Sequence, residues 1–244
     1  MIAEHQPTCF PSSIKVALSS VSDGTMLNRH EGMHADVAVA NRKALCQKNG
    51  MLYENVVYQR ISYNDTQTYD VLKEVTSAHT TSSVQEVAAD ALFTSERDVG
   101  MLLPVADCIA TIIYDPSRHC VAMLHLGRHS SLTSLIAKTI ELFIAKGSDP
   151  HDLIVWMSPN IQQSHYRMDY FDKADNDEWR EFCEIRDGGC YVDLQGHNRA
   201  MFIANGVTPK NIYVSGVDTA EHAQYFSHFK GDTASRFAVL VVLV

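Results

Sequence analysis

Residues 101–130, MLLPVADCIATIIYDPSRHCVAMLHLGRHS, organise the predicted fold of this chain. Its apolar, β-branched runs at 105–114 and 120–126 are typical of two buried strands. Between them, the sequence at 115–118 is Asp-Pro-Ser-Arg, which predicts a turn because proline presets φ and aspartate can bond its own backbone. We therefore expect two buried strands joined by a turn.

Polar side chains interrupt both runs at positions where burial would disfavour them. Asp107 and Cys108 lie early in the first run, and His125 lies near the end of the second. Gly127 follows, and a helix is predicted shortly after it. The sequence therefore indicates a thiol and an imidazole at strand ends beside a helix N-terminus, whose free N–H groups can bind an anion.

The remaining chain alternates between predicted helices and strands. Helices are predicted at 36–48, 131–146, 173–184 and 196–204. Further strands are predicted at 14–19, 53–63, 153–157, 191–194, 212–214 and 237–244. The last of these is apolar throughout, so we expect it at the centre of a sheet. No repeat or linker is evident, and we predict an α+β fold in which residues 1–244 form a single domain of mixed β-sheets covered by helices.

Composition limits the classes of partner. The 244 residues are 45% hydrophobic, which is ample for a core, and the net charge of −9 comes without any basic cluster. This argues against nucleic acid as a partner. No signal-like N-terminus and no apolar run of membrane-spanning length occur, so we expect a cytoplasmic protein with no membrane partner. The six cysteines lack short paired spacings and are expected to be reduced thiols.

Three residues are candidates for a metal site. His79 lies in a polar loop, and Cys108 and His125 lie at the strand ends. One thiolate and two imidazoles are a suitable zinc set that leaves one position open. The three residues lie on separate segments, so their spacing does not show that they meet. Each could instead have a purely structural role. Cys108 could be a small buried apolar residue, His125 a hydrogen-bonded core histidine and His79 a loop residue.

Several motifs then occur in a fixed order. ADALFT stands at 89–94, ADC at 106–108 and HLG at 125–127. They resemble the A-D-A-L-x-T, T-A-D-C and H-A-G-W-R-G segments of the YfiH-type laccase-domain family, also described as multicopper polyphenol oxidases or purine nucleoside phosphorylases. Shorter similarities are NR at 41–42, YFS at 225–227 and SR at 235–236. The resemblance covers most of the chain and implies a YfiH-like fold.

The resemblance also implies a chemistry. His79 falls where the family's Q-V-H-G loop has its histidine, so His79, Cys108 and His125 are expected to bind one zinc ion and to be the catalytic residues. Copper is the less expected metal, since one Cys-His-His set has too few ligands for a multicopper cluster. The implied activity is phosphorolysis of a purine nucleoside by phosphate, with adenosine deamination as a second activity. The oligomeric state stays open.

The chain departs from the family around the substrate. Arg128, His129 and Ser130 stand in place of W-R-G, so the arginine comes one position early. Residues 166–169 read Tyr-Arg-Met-Asp where the family has Y-E-V-G, and Val217 replaces a cysteine. The R-x-G-G-V-S segment is reduced to residues 19–24, without arginine. Family substrate contacts at these positions therefore cannot be transferred to this chain.

Individual residues near these departures receive separate interpretations. Arg128 is a candidate for binding substrate phosphate, whereas Arg167 is interpreted as a solvated surface arginine. His129 is read as an additional histidine near the site. Asp107 could orient a ligand histidine or bond local backbone N–H groups.

Other functions remain compatible with the sequence. Cys108 and His125 could form the thiolate–imidazole pair of a cysteine hydrolase. The family is also linked to editing of peptidoglycan precursors, which would make the substrate a nucleotide-linked sugar peptide. A degenerate member that binds zinc without catalysis is a further possibility.

Overall fold

The fold is described from a computed structural model, which describes residues 1–63, 66–80 and 85–244. The strands in these residues are β1 (Ile14–Leu18), β2 (Leu27–Asn28), β3 (Val56–Arg60), β4 (Leu72–Glu74), β5 (Glu86–Ala88), β6 (Ala91–Thr94), β7 (Gly100–Val105), β8 (Ile109–Asp115), β9 (Cys120–Leu126), β10 (Ile154–Met157), β11 (Arg167–Met168), β12 (Cys183–Arg186), β13 (Gly189–Val192), β14 (Ile212–Val214) and β15 (Ser235–Leu243). The helices are α1 (Asp36–Lys48), α2 (Ser77–Thr80), α3 (Arg128–Ser131), α4 (Leu135–Ala145) and α5 (Leu194–Ala204).

The strands of the described residues form three sheets. The first has the order β1-β15-β7-β3-β5, with β2 also paired to β15. The second has the order β14-β10-β8-β9-β6-β4, and the third, smaller sheet has the order β11-β13-β12. β15 runs antiparallel to both of its long neighbours, while β3 pairs in parallel with β7 and β5. The mixed pairing and the attached helices confirm the predicted α+β class.

The two large sheets pack face to face and enclose the main apolar core. Leu103 and Val239 of the first sheet share this core with Ile112 and Met123 of the second. α1 packs on the outer face of the first sheet through Leu45. α4 and α5 cover the outer face of the second sheet. The result is a layered arrangement of helix, sheet, sheet and helix. β8 and β9 are buried at every residue, as the apolar character of their sequences predicted.

The single strand predicted at 105–114 is wrong. The chain leaves the first sheet at the end of β7 and enters the second sheet at the start of β8. Between them, Asp107 has a φ of 76°, which breaks the extended conformation. Residues 106–108 therefore form a crossover between the two large sheets, and this crossover places Asp107 and Cys108 at the rim of the core.

The helix predicted at 173–184 is also wrong. The segment consists of turns, a short 3₁₀ turn at Arg180–Phe182 and strand β12. Its Asp and Asn residues favour local turns; the Asn176 side chain, for example, accepts a hydrogen bond from the Glu178 N–H at 3.1 Å. The helix predicted at 131–146 corresponds to α4, which begins four residues later, at Leu135; the separate short helix α3 ends at Ser131.

Other predicted elements are confirmed. α1 has the predicted bounds, and α5 begins two residues before its predicted start. β15 is an interior strand of its sheet, between β1 and β7. Within the described ranges, no helix combines the length and apolar character needed to cross a membrane.

Candidate functional site

A cavity of about 630 Å³ lies where the 106–108 crossover meets the start of α3. The crossover, the end of β9 and the start of β15 all contribute side chains to its walls. Cys108 and His125 both line it. The structure therefore brings together two of the three residues that the sequence singled out.

Cys108 and His125 approach one point over Gly127. A Cβ atom built on Gly127 would lie 2.9 Å from the Cys108 Sγ and 3.5 Å from the His125 Nε2. The register of β8 and β9 fixes this arrangement, because Ala110 pairs with His125 immediately after the crossover. The thiol and the imidazole thus flank a small space that a glycine keeps open.

The environment keeps both groups uncharged. Burial raises the pKa of the Cys108 thiol to about 12, and the nearby Asp107 carboxylate adds to this effect. Burial also lowers the pKa of His125 to about 4, with smaller contributions from His129 and Arg236. A neutral thiol is a weak nucleophile, so this geometry does not favour the cysteine hydrolase alternative.

His79 is placed apart from this pair. It lies in the short helix α2 and is not among the residues that line the cavity. Its Nδ1 accepts a hydrogen bond from the Thr76 backbone N–H at 3.1 Å. Among the described residues, no three His, Cys, Asp or Glu side chains are arranged to hold a metal ion. Cys108 and His125 alone do not fit a zinc centre with three protein ligands, and zinc binding by all three residues stays a prediction.

Aromatic rings form one wall of the cavity. The Tyr69 and His129 rings stack with centroids 4.5 Å apart and an interplanar angle of 20°. Tyr63 meets the rings of His129 and His125 edge-on, with centroids 6.4 Å away in each case. Tyr69 has a φ of 59°, an uncommon conformation for a bulky side chain. The His129 that the sequence treated as incidental is thus part of this wall.

Arginines from five segments also line the cavity, and two of them have acidic partners. Arg60 forms an ion pair with Glu86 on the neighbouring strand. Arg167 forms an ion pair with Asp169 at 2.6 Å. Arg167 therefore lines the cavity as an exposed side chain whose charge Asp169 compensates, which agrees with the prediction of a solvated surface arginine.

The other three arginines, Arg29, Arg128 and Arg236, form no ion pair within the described part of the chain. Arg128 is exposed, and its Nη2 lies 3.3 Å from the His129 Nε2. Arg236 is only 8% exposed. Burial and the nearby positive charge of Arg29 lower the pKa of Arg236. These groups make the cavity electropositive in a protein whose net charge is −9.

Asp107 has a structural role that the sequence did not indicate. Its Oδ1 accepts a hydrogen bond from the Thr219 hydroxyl at 2.6 Å, and its Oδ2 accepts one from the Phe229 N–H at 2.8 Å. Both donors lie more than 100 positions away in the sequence. The prediction of local N–H partners is therefore wrong, and no hydrogen bond from Asp107 to a histidine occurs among the described residues. Asp107 instead ties the segment 218–229 to the crossover.

Sequence reasoning missed the Tyr63, Tyr69, Arg29 and Arg236 side chains. Arg236 belongs to the SR pair that resembles the family's G-R segment, and this resemblance was the one feature of the sequence that could have marked Arg236 as a site residue. Arg29 and the two tyrosines stand in polar segments without a motif, so nothing in these segments predicts that they converge on the cavity.

Comparison with known proteins defines the class to which this fold and cavity belong. The family model described as multi-copper polyphenol oxidoreductase laccase matches residues 19–244. The chain therefore belongs to this laccase-like family, as the ADAL, ADC and HLG motifs predicted.

Curated relatives are distant. A protein from Staphylococcus aureus named purine nucleoside phosphorylase is 26% identical over 159 residues, which is 62% of this chain and 59% of the relative. The Bacillus subtilis purine nucleoside phosphorylase YlmD is 26% identical over 155 residues, 58% of this chain and 53% of the relative. The matches thus span less than two thirds of the length of these relatives.

Solved structures share the fold over almost the whole chain. YlmD from Geobacillus stearothermophilus is 23% identical and superposes with a TM-score of 0.81, covering 97% of this chain and 94% of that one. The hypothetical protein YfiH from Bacillus licheniformis is 22% identical with a TM-score of 0.80, covering 95% and 93%. The predicted YfiH-like fold is confirmed.

Proposed function

We propose that the protein is a purine nucleoside phosphorylase. In this reaction phosphate attacks the anomeric carbon of the ribose, the bond to the base breaks, and ribose 1-phosphate and the free base leave. The observation that carries the proposal is a single cavity that combines stacked aromatic rings with guanidinium groups that form no ion pair. Aromatic faces stack on bases, and guanidinium groups bind phosphate bidentately. The names of the curated relatives agree with this assignment.

Each wall of the cavity has a role in the proposal. The Tyr69–His129 wall contacts the base, and the unpaired arginines bind phosphate. Cys108 and His125 line the same cavity and contact the sugar, where they exclude water and hold its orientation. Because the described residues supply only two metal donors at this point, no step of the proposal passes through a metal ion.

A turnover assay tests the proposal. The purified protein is incubated with inosine, guanosine or adenosine, with and without phosphate, and the products are separated by chromatography. We expect phosphate-dependent release of the free base. Conversion of adenosine to inosine without phosphate would reveal the deaminase activity instead. Absence of base release from all three nucleosides would overturn the phosphorylase assignment.

A variant pair connects the activity to the aromatic wall. Tyr69→Leu removes the ring that stacks on His129, and we expect KM for the nucleoside to rise about tenfold. Tyr170→Leu is the control, because Tyr170 is 79% exposed and does not line the cavity. Equal KM values for the two variants would exclude Tyr69 from base binding.

A further inference from the structure

The segment that carries Tyr69 has an uncommon backbone conformation. Tyr69 has a φ of 59°, in the left-handed region that a bulky side chain seldom adopts. Such a conformation persists only where neighbouring contacts fix it. Because the Tyr69 ring stacks on the His129 ring in the wall of the cavity, the contacts that fix this backbone also fix the wall.

Asp90 supplies such contacts on both sides of Tyr69 in the sequence. Its Oδ2 accepts a hydrogen bond from the Gln67 Nε2 at 3.1 Å and another from the Val71 N–H at 3.0 Å. The Asp90 N–H in turn donates to the Val71 carbonyl oxygen at 2.8 Å. One side chain therefore holds the loop 67–71 at both of its ends.

Asp90 also contacts the strand that carries His125. The Asp90 carbonyl oxygen accepts a hydrogen bond from the His125 N–H at 2.8 Å. Asp90 is fully buried between β5 and β6 in the sequence, and it does not line the cavity. It therefore connects the loop of the aromatic wall to the His125 strand from behind the cavity, where it touches no ligand.

The burial of this carboxyl group has a cost, which argues for a specific role. Burial raises the pKa of Asp90, and the hydrogen bonds from Val71 and Gln67 oppose that increase. Its other oxygen, Oδ1, is buried without a hydrogen-bond partner among the described residues. An apolar side chain would avoid this cost, but it would leave the Gln67 and Val71 donors without their acceptor.

We propose that Asp90 is a positioning residue whose carboxyl group holds the loop 67–71 so that the Tyr69 ring stacks on His129 before a purine base binds. The inference rests on the proposed function, in which this aromatic wall contacts the base. Without the Asp90 acceptor, the left-handed backbone at Tyr69 relaxes and the ring leaves the wall. The wall must then form during binding, which lowers the affinity for the base and leaves phosphate binding unchanged.

NMR of the protein without substrate tests the positioning directly. The Tyr69 ring displaces the His129 ring-proton signals through its ring current, and Tyr69→Leu gives the positions of these signals without that ring. In Asp90→Ala we expect the signals to move by more than half of this difference. Asp90→Asn keeps a carbonyl oxygen that can accept both hydrogen bonds, so its signals should stay close to those of the wild type. Wild-type His129 signals in Asp90→Ala would overturn the proposal.

Steady-state kinetics with a matched control separate positioning from a general loss of stability. Asp115→Ala is the control, because Asp115 is also buried, accepts two backbone N–H groups through one oxygen and has a second oxygen without a partner among the described residues. Asp115 holds the turn between β8 and β9, of which no described residue lines the cavity. We expect KM for the nucleoside to rise about tenfold in Asp90→Ala, with KM for phosphate unchanged, and both to keep wild-type values in Asp115→Ala. The same kinetic change in the two variants would assign the effect to stability and overturn the proposal.

Gln67→Ala is a second variant that keeps the test valid if Asp90→Ala does not fold. Gln67 is half-buried in the loop, and its truncation removes one of the two hydrogen bonds to Asp90 while leaving the core intact. We expect a partial displacement of the His129 signals and a severalfold rise in KM for the nucleoside. Wild-type values of both quantities in Gln67→Ala would contradict the proposal.

The NMR and kinetic results also keep this inference separate from the proposed function. Displaced His129 signals in Asp90→Ala, with no turnover of any nucleoside by the wild type, would remove the phosphorylase assignment and leave the positioning role. Nucleoside turnover by the wild type, with unchanged His129 signals in Asp90→Ala, would do the reverse.

Discussion

Gly127 lies directly beneath Cys108: a Cβ atom on Gly127 would be 2.9 Å from the Cys108 Sγ, closer than ordinary packing allows. The backbone of Gly127 has a φ of −108°, which any residue can adopt, so space rather than backbone conformation demands glycine here. Gly127→Ala should therefore displace the Cys108 and His125 side chains. We expect kcat/KM for base release to fall about tenfold and the free energy of unfolding to fall by about 1–3 kcal/mol.

The control for this change is Gly216→Ala. A Cβ atom at Gly216 would have no neighbour within 4 Å, so kinetics and stability should stay at the wild-type values. Wild-type kinetics in Gly127→Ala would show that the space between the thiol and the imidazole is not used in the reaction.

Asp107 is expected to contribute to stability through its two long-range hydrogen bonds. Asp107→Ala removes both bonds to Thr219 and Phe229, and we expect the free energy of unfolding to fall by about 2–3 kcal/mol in chemical denaturation. The left-handed backbone at Asp107 adds strain to alanine there. Asp187→Ala controls for that strain, because Asp187 has a φ of 51° and is exposed. Similar losses in both variants would assign the effect to the backbone alone.

The hydrophobic pattern of the sequence predicts part of the fold, namely the elements whose burial is periodic or continuous. The alternating and continuous apolar runs identify β9, β15 and α1 because burial leaves a period in the sequence. The apolar pattern does not predict the crossover at 106–108. A single long strand and two shorter strands in different sheets have the same apolar sequence when all of them are buried. Trp179 and Phe182 have helical spacing, but the turn-forming residues around them decide the local structure instead.

The sequence also predicts only some of the residues that line the cavity. His125 stands out because a polar group within a buried strand is uncommon, whereas Cys108 stands out only through the ADC motif. Arg29 and Arg236 do not stand out, because an arginine is normally solvated and its lack of an acidic partner is visible only in three dimensions. His79 lies in α2 and is not among the residues that line the cavity, so its role beside Cys108 and His125 stays a prediction of the family motif.

His129 should titrate below its usual range. Burial, followed by the positive charge of Arg128, lowers the pKa of His129 from 6.5. Its Nε2 faces the Arg128 Nη2, which can only donate, so the neutral ring carries its proton on Nδ1. The folded state then binds this proton less readily than the unfolded state. This contribution to stability is complete above pH 6.5 and is lost as the pH falls towards the folded-state pKa.

NMR titration of the labelled imidazole measures this shift directly. Arg128→Gln should raise the His129 pKa without restoring it to 6.5, because burial, the larger cause, remains. Arg167→Gln should leave the pKa unchanged, since Asp169 compensates the charge of Arg167. An unchanged His129 pKa in Arg128→Gln would contradict the contact between the two side chains.

Zinc binding by His79, Cys108 and His125 stays a prediction of the family motifs, and metal analysis tests it. Cys108 and His125 offer two donors at one point, whereas catalytic zinc sites generally have three protein ligands, so the prediction requires His79 as the third. Elemental analysis of protein purified without a histidine tag, after equilibration with zinc and desalting, should give about one zinc per chain. Cys108→Ala and His79→Ala should each lose it. Clearly less than one zinc per chain in the wild type, unchanged in His79→Ala, would contradict the predicted set.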